Sequence, residues 1–261
     1  MMKPSTLHID PHSAGLPKRK GAVSLAYEGG DRSHFEIAAP FLQSQGLHGT
    51  FFLPSPPLLE FHREWKAVGE AKHEIGSASL FGVTDDRGNL PNWTLEMVGE
   101  DLDMSLQLLS ETFLQQRQFP FAYPGDMSGC VSTAFSPVPA DYRTIVEQKF
   151  RVAVRNIAQL NSTTHQNLLQ LNRVSVRGLS LLDIMSLVAE AERERSWLIL
   201  TFGAIGTGDH GIDMRDHRDV VRQLIDRQDS LHLGPIMKLA QSLFAPAVSA
   251  QAVAERENEK V

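Results

Sequence analysis

Short apolar runs alternate with helix-spaced stretches along most of this chain, and the first such unit sets the plan. An apolar run from Ala22 to Tyr27 stops at an acidic, double-glycine corner, Glu28-Gly29-Gly30. From Phe35 to Gln45 the apolar positions Phe35, Ile37, Ala38, Phe41 and Leu42 approximate a helical stripe, and Gly46 is a natural stop. A second apolar run, Thr50 to Leu53, closes the unit. Strand, turn, helix, strand is the repeat of a parallel α/β fold. The corner at Glu28 falls at the C-terminal end of the first strand, where such folds place ligand sites.

The same alternation continues. The pattern predicts helices over 58–69, 94–113, 142–150, 180–195, 216–228 and 234–244, and strands over 73–76, 119–124, 151–156, 173–176, 197–202 and 231–233. The helix at 94–113 is the most regular, with Leu95, Val98, Leu102, Leu106, Leu109 and Phe113 in register. Thr94 is its candidate N-cap, although the glutamate of a capping box comes one position early at Glu96. Residues 77–92 and 125–140 read as loops, and 161–172 carries no clear period. The expected domain plan is an extension at 1–20, one domain at 21–244 and a flexible tail at 245–261. Strands alternating with helices predict a parallel α/β barrel or an open doubly wound sheet, and periodicity alone does not separate the two.

Composition narrows the function. The chain has 261 residues, 42% hydrophobic, and a net charge of −6. That balance, without any basic block, disfavours nucleic acid and anionic membranes as partners. No apolar run is long enough to span a membrane, and no secretory signal is visible. The single cysteine, Cys130, has no internal disulfide partner and reads as a small hydrophobe. A reducing, cytoplasmic setting is the expectation. There is no G-x-G-x-x-G at the opening corner and no G-x-x-x-x-G-K anywhere, so neither dinucleotide nor phosphate-loop chemistry is indicated.

Four stretches then stand in order: Ser24-Leu-Ala-Tyr-Glu-Gly-Gly30 with Gly49-Thr-Phe-Phe52; His73-Glu-Ile-Gly-Ser-Ala-Ser-Leu-Phe-Gly82; Phe121-Ala-Tyr-Pro-Gly125; and Trp197-Leu-Ile-Leu-Thr-Phe-Gly-Ala-Ile-Gly206. As an ordered set they resemble the motifs of the polysaccharide deacetylases over roughly residues 20–240. The resemblance implies an irregular (β/α) barrel of about seven parallel strands with its site at the strands' C-terminal ends. It also implies hydrolysis of acetyl groups on glycans such as chitin or peptidoglycan. In that chemistry one Asp and two His hold a divalent metal, commonly zinc. The metal polarises the carbonyl and lowers the pKa of a bound water, a second Asp takes the proton, and a His protonates the leaving amine.

This chain departs from that plan at nearly every reacting position. The base position holds Glu28. The three metal-ligand positions hold Gly29, Ala78 and Gly82, the arginine of the third motif corresponds to Ala122, and the late-strand acid corresponds to Gly203. The resemblance therefore implies a catalytically degenerate, metal-free deacetylase-like protein that binds a glycan or a protein partner. Two alternatives stand beside it. One is a working hydrolase of acetamido or ester bonds built on Glu28 with His73 or the Asp209-His210 pair, with zinc or another divalent metal only in that case. The other is a structural or interaction subunit without glycan affinity. His73 reads first as a strand-end residue bonded to backbone. Tyr27, Trp93, Tyr123, Asp209 and His210 are the candidate substrate-binding residues, because aromatic faces stack on sugar rings. Of these, Tyr27 reads first as core packing, and Tyr123 and Trp93 are the better surface candidates.

Overall fold

The computed structural model describes residues 20–80, 94–123, 130–131, 140–141, 143–206 and 211–244. Its strands are β1 (Gly21–Glu28), β2 (Thr50–Leu53), β3 (Glu74–Ser77), β4 (Phe121–Ala122), β5 (Cys130–Val131), β6 (Ala140–Asp141), β7 (Ala153–Asn156), β8 (Leu171–Ser175), β9 (Trp197–Phe202) and β10 (Leu231–Leu233). The helices are α1 (Ala39–Ser44), α2 (Ser55–Glu60), α3 (His62–Glu70), α4 (Leu95–Thr112), α5 (Arg143–Lys149), α6 (Leu181–Glu194), α7 (Met214–Ile225) and α8 (Ile236–Phe244).

Strands β1-β2-β3-β4-β7-β8-β9 are all parallel, and β9 pairs back onto β1, closing a seven-stranded barrel. Closure decides what periodicity left open. β10 is an eighth parallel strand outside the ring. It pairs with the first half of β1 (Gly21–Val23) on the edge whose second half (Ala26–Glu28) pairs with β2. β5 and β6 form a separate antiparallel pair that the pattern did not predict.

Period-two alternation sorts the side chains of each strand into two cores. Ala22 and Ala26 of β1 pack in the barrel interior with Phe52, Val154, Leu171, Trp197 and Ile199. Val23, Leu25 and Tyr27 point the other way, into the layer between barrel and helices, with Phe51, Trp65, Leu200 and Phe202. The interior is closed from below by α8, whose Ile236, Met237, Leu239 and Ala240 pack on the same inner residues. The backbone N–H of Ile236 donates to Thr50 Oγ1 at 3.0 Å, and that of Met237 donates to the Glu74 carboxylate at 3.0 Å. The barrel thus has a plugged N-terminal end, opposite the mouth formed by the strands' C-terminal ends.

Several local predictions are refined. The expected helix at 35–45 opens with a π turn, His34–Ala38, where the Ala39 N–H reaches back to the His34 carbonyl. Pro40 follows at the start of α1 and has no N–H to continue the ordinary ladder. The helix expected at 58–69 is two helices, α2 and α3, broken at Phe61. Thr94 does cap α4, accepting from Met97 N at 3.2 Å. β8 begins at Leu171, within the stretch that showed no period. No helix among the described residues is long and apolar enough to cross a membrane.

Candidate functional site

Glu28 ends β1 on the inward face, at the C-terminal mouth of the barrel, with its side chain 29% exposed. Its carboxylate forms an ion pair with Arg173. Arg173 lies on β8 on the same inward face as Leu171, with a side chain only 5% exposed. Val174 and Leu25 share the level of Leu200, so Arg173 starts deeper in the barrel than Glu28 and extends towards the mouth. Its Nη2 also donates to the carbonyl of Tyr123 at 3.2 Å. Burial lowers the guanidinium pKa to about 9. The carboxylate opposes that shift by favouring the charged form.

Arg173 is the candidate site residue that the sequence reading missed. The third-motif arginine is replaced by Ala122, and a guanidinium from a different strand is paired with the carboxylate. The signal was present, because an arginine in a short strand, between Leu171 and Val174, needs a partner where that strand is buried.

The rest of the mouth is held by backbone and short side chains. The turn after β1 places Gly29 at φ +90° and Gly30 at φ +68°. A side chain at Gly30 would strike Pro57, whereas Gly29 faces open space. Asp31 accepts from Ser33 N at 2.8 Å and from Ser33 Oγ at 2.5 Å, and Ser33 Oγ in turn accepts from Ile205 N at 2.8 Å. His34 Nε2 donates to the Gly203 carbonyl at 2.8 Å. The loop after β1 is therefore fastened to the loop after β9. On the other side, Ala78 N bonds the Leu53 carbonyl at 3.2 Å, and Leu80 N donates to Asp101 of α4 at 3.0 Å.

The described residues at the mouth do not fit a divalent metal. Gly29 and Ala78 offer no side-chain donor, and among the described residues no three His, Cys, Asp or Glu side chains stand together. Position Gly82, with the candidates Trp93, Asp209 and His210, lies outside the described residues.

Three candidates are placed away from the mouth: His73 and Tyr27 take their other readings, backbone-bonded strand end and core, and Tyr123 is a correction. His73 precedes β3 at the opposite, N-terminal end, level with Gly49, so it cannot work with Glu28. Its Nδ1 accepts from Gly49 N at 3.2 Å, and burial pulls its pKa down to about 4. Tyr27 is fully buried on the outer face of β1, between Phe51 and Phe202, with its hydroxyl 2.8 Å from His217 Nε2. Tyr123, expected near the surface, is 1% exposed and packs edge-on against Phe121 beneath α4 and α5. The reason is the same for both tyrosines: period two sends them outward when Glu28 and Ala122 point in.

Neither a protein-family model nor a curated protein sequence matches the chain. Solved structures do. A Mycobacterium smegmatis protein described as a polysaccharide deacetylase superposes with a TM-score of 0.65 at 10% identity, over 91% of this chain and 96% of its own. The fold is that of the polysaccharide deacetylases. PuuE allantoinase is similar at TM-score 0.63 and 11% identity, over 94% of this chain and 98% of its own. A mutant of BA3943, a CE4 family pseudoenzyme, matches at TM-score 0.52 and 13% identity, over 92% of this chain and 72% of its own. One barrel plan thus carries deacetylase, allantoinase and pseudoenzyme alike, and the site alone separates them.

Proposed function

We propose that this protein is a non-hydrolysing, deacetylase-like barrel that binds a glycan at its C-terminal mouth. The observation that carries the reading is the Glu28–Arg173 pair standing among Gly29, Ala78 and Gly203. Attack of water on an acetamide needs a polarised carbonyl, an activated water and a proton for the leaving amine. The positions that would supply the first and last of these carry no reactive side chain. What remains, a half-buried carboxylate with a guanidinium behind it, is a rigid acceptor and donor set suited to sugar hydroxyls and acetamido groups. Neighbours of this fold include a peptidoglycan deacetylase of Bacillus subtilis and a CE4 family pseudoenzyme, which supports both halves of the reading.

The test is calorimetric titration of N-acetylated chito-oligosaccharides and peptidoglycan fragments, run beside an acetate-release assay with excess zinc. Saturable heat with no acetate is expected. Acetate release that a chelator abolishes would overturn the reading, and no heat with any oligosaccharide would leave an interaction subunit instead. A second reading has one observation behind it. The Glu28 carboxylate is exposed enough to meet water at the mouth, as a general base must. It requires turnover that Glu28→Gln abolishes.

A further inference from the structure

A cavity of about 700 Å³ opens on the opposite, plugged end of the barrel, between α3, the chain after α4, the start of β3 and α8. Its volume is in the range that holds a small organic ligand. Lys66 of α3, Lys72 of the following turn, Arg117 after α4 and Lys238 of α8 all line it. Among the described residues none of these four side chains makes an ion pair or hydrogen bond. Among the described residues two acidic groups share the lining, Glu70 and Glu74. The Glu74 carboxylate is already engaged by Thr50 Oγ1 at 2.7 Å and by Met237 N at 3.0 Å. On a chain of net charge −6, four cations drawn from separate parts of the fold against two carboxylates in one concavity are a local inversion of sign. The field of Lys238 and Lys72 also reaches His48 and, after burial, helps to lower its pKa. Between the cations the wall is apolar, with Phe113, Met237 and Leu114, the last 81% exposed.

We propose that this cavity binds a small organic polyanion, a molecule with two or more phosphate or carboxylate groups on a short apolar or ring body. Lysines serve such a ligand as point charges, Arg117 as a planar fork, and the apolar wall receives the body. The site lies at the other end of the barrel from Glu28 and does not rest on the glycan reading.

Inorganic pyrophosphate and citrate are the probes, one for each head-group chemistry, titrated calorimetrically into the whole protein at low salt and again at high salt. Saturable one-site binding of at least one probe is expected, weakened by salt, and that probe identifies the head group. Lys72→Ala/Lys238→Ala and Lys66→Ala/Arg117→Ala change exposed side chains only, and each is expected to weaken the bound probe tenfold or more. Saturation by neither probe, or a loss below threefold in both double variants, overturns the proposal.

Discussion

The carboxylate of Glu28, at the end of β1, closes onto the guanidinium of Arg173, which lies deeper in the barrel on β8. The two partners are not equally placed: Glu28 is 29% exposed and Arg173 is 5% exposed. Removing the carboxylate strands a buried cation, while removing the guanidinium leaves an anion that water can reach. Glu28→Gln is therefore expected to cost about 3 kcal/mol and Arg173→Met about 1 kcal/mol. The double variant should recover most of the loss, as urea denaturation in a double-mutant cycle will report. Equal costs for the two single variants would refute the asymmetry.

Tyr27 belongs to the packing and not to the mouth. Tyr27→Phe removes the hydroxyl that meets His217 Nε2 and leaves that buried nitrogen unpaired. The expected cost is about 1–3 kcal/mol of stability, with oligosaccharide affinity unchanged in calorimetry. A selective loss of affinity at unchanged stability would return Tyr27 to the site.

Gly76 on β3 has no room for a methyl group. An added Cβ would meet the ring of Phe52, with Cε1 at 2.6 Å, and the Pro120 carbonyl at 3.0 Å. Gly76→Ala is expected to lower stability by about 2 kcal/mol. The same change at Gly29 meets no atom but must hold φ +90°, costing about 1 kcal/mol through the backbone alone. Comparison of the two melting temperatures checks the order.

Stability should fall on both sides of an optimum, for opposite reasons. His73 and His217 are held by burial at about 4, below the usual 6.5, so the folded state resists taking up their protons. Their contribution is complete above pH 6.5 and is lost as pH falls through 4. Glu74 is raised by burial from 4.5 to about 7, so its contribution is complete below pH 4.5 and is lost as pH rises through 7. A shift of that size corresponds to at most about 3 kcal/mol. Glu74→Gln keeps an oxygen for Thr50 and Met237 and removes the titration. It is expected to flatten the decline between pH 5 and 8 in a melting-temperature series while leaving the acid limb in place.

Much of this protein was legible along the chain, because local patterns report local structure. The runs Trp197–Phe202 and Leu231–Leu233 are strands at the bounds that their apolar content predicts. The end of β1 marks the mouth because parallel strands connected by helices all finish on one side. The losses at Gly29 and Ala78 are equally plain in sequence, since a missing donor atom needs no coordinates. Barrel closure was not legible. It depends on β9 pairing with β1 across nearly the whole chain, and no periodicity records which edge meets which. Nor was the inward or outward sense of each strand, which a single register step reverses. That step removed Tyr27 and Tyr123 from the mouth and brought Arg173 to it. Glu28 was visible as a carboxylate at a strand end. That it stands against a guanidinium from β8, one strand beyond the closing neighbour β9, with His73 out of reach at the other end, was decided only when the sheet closed.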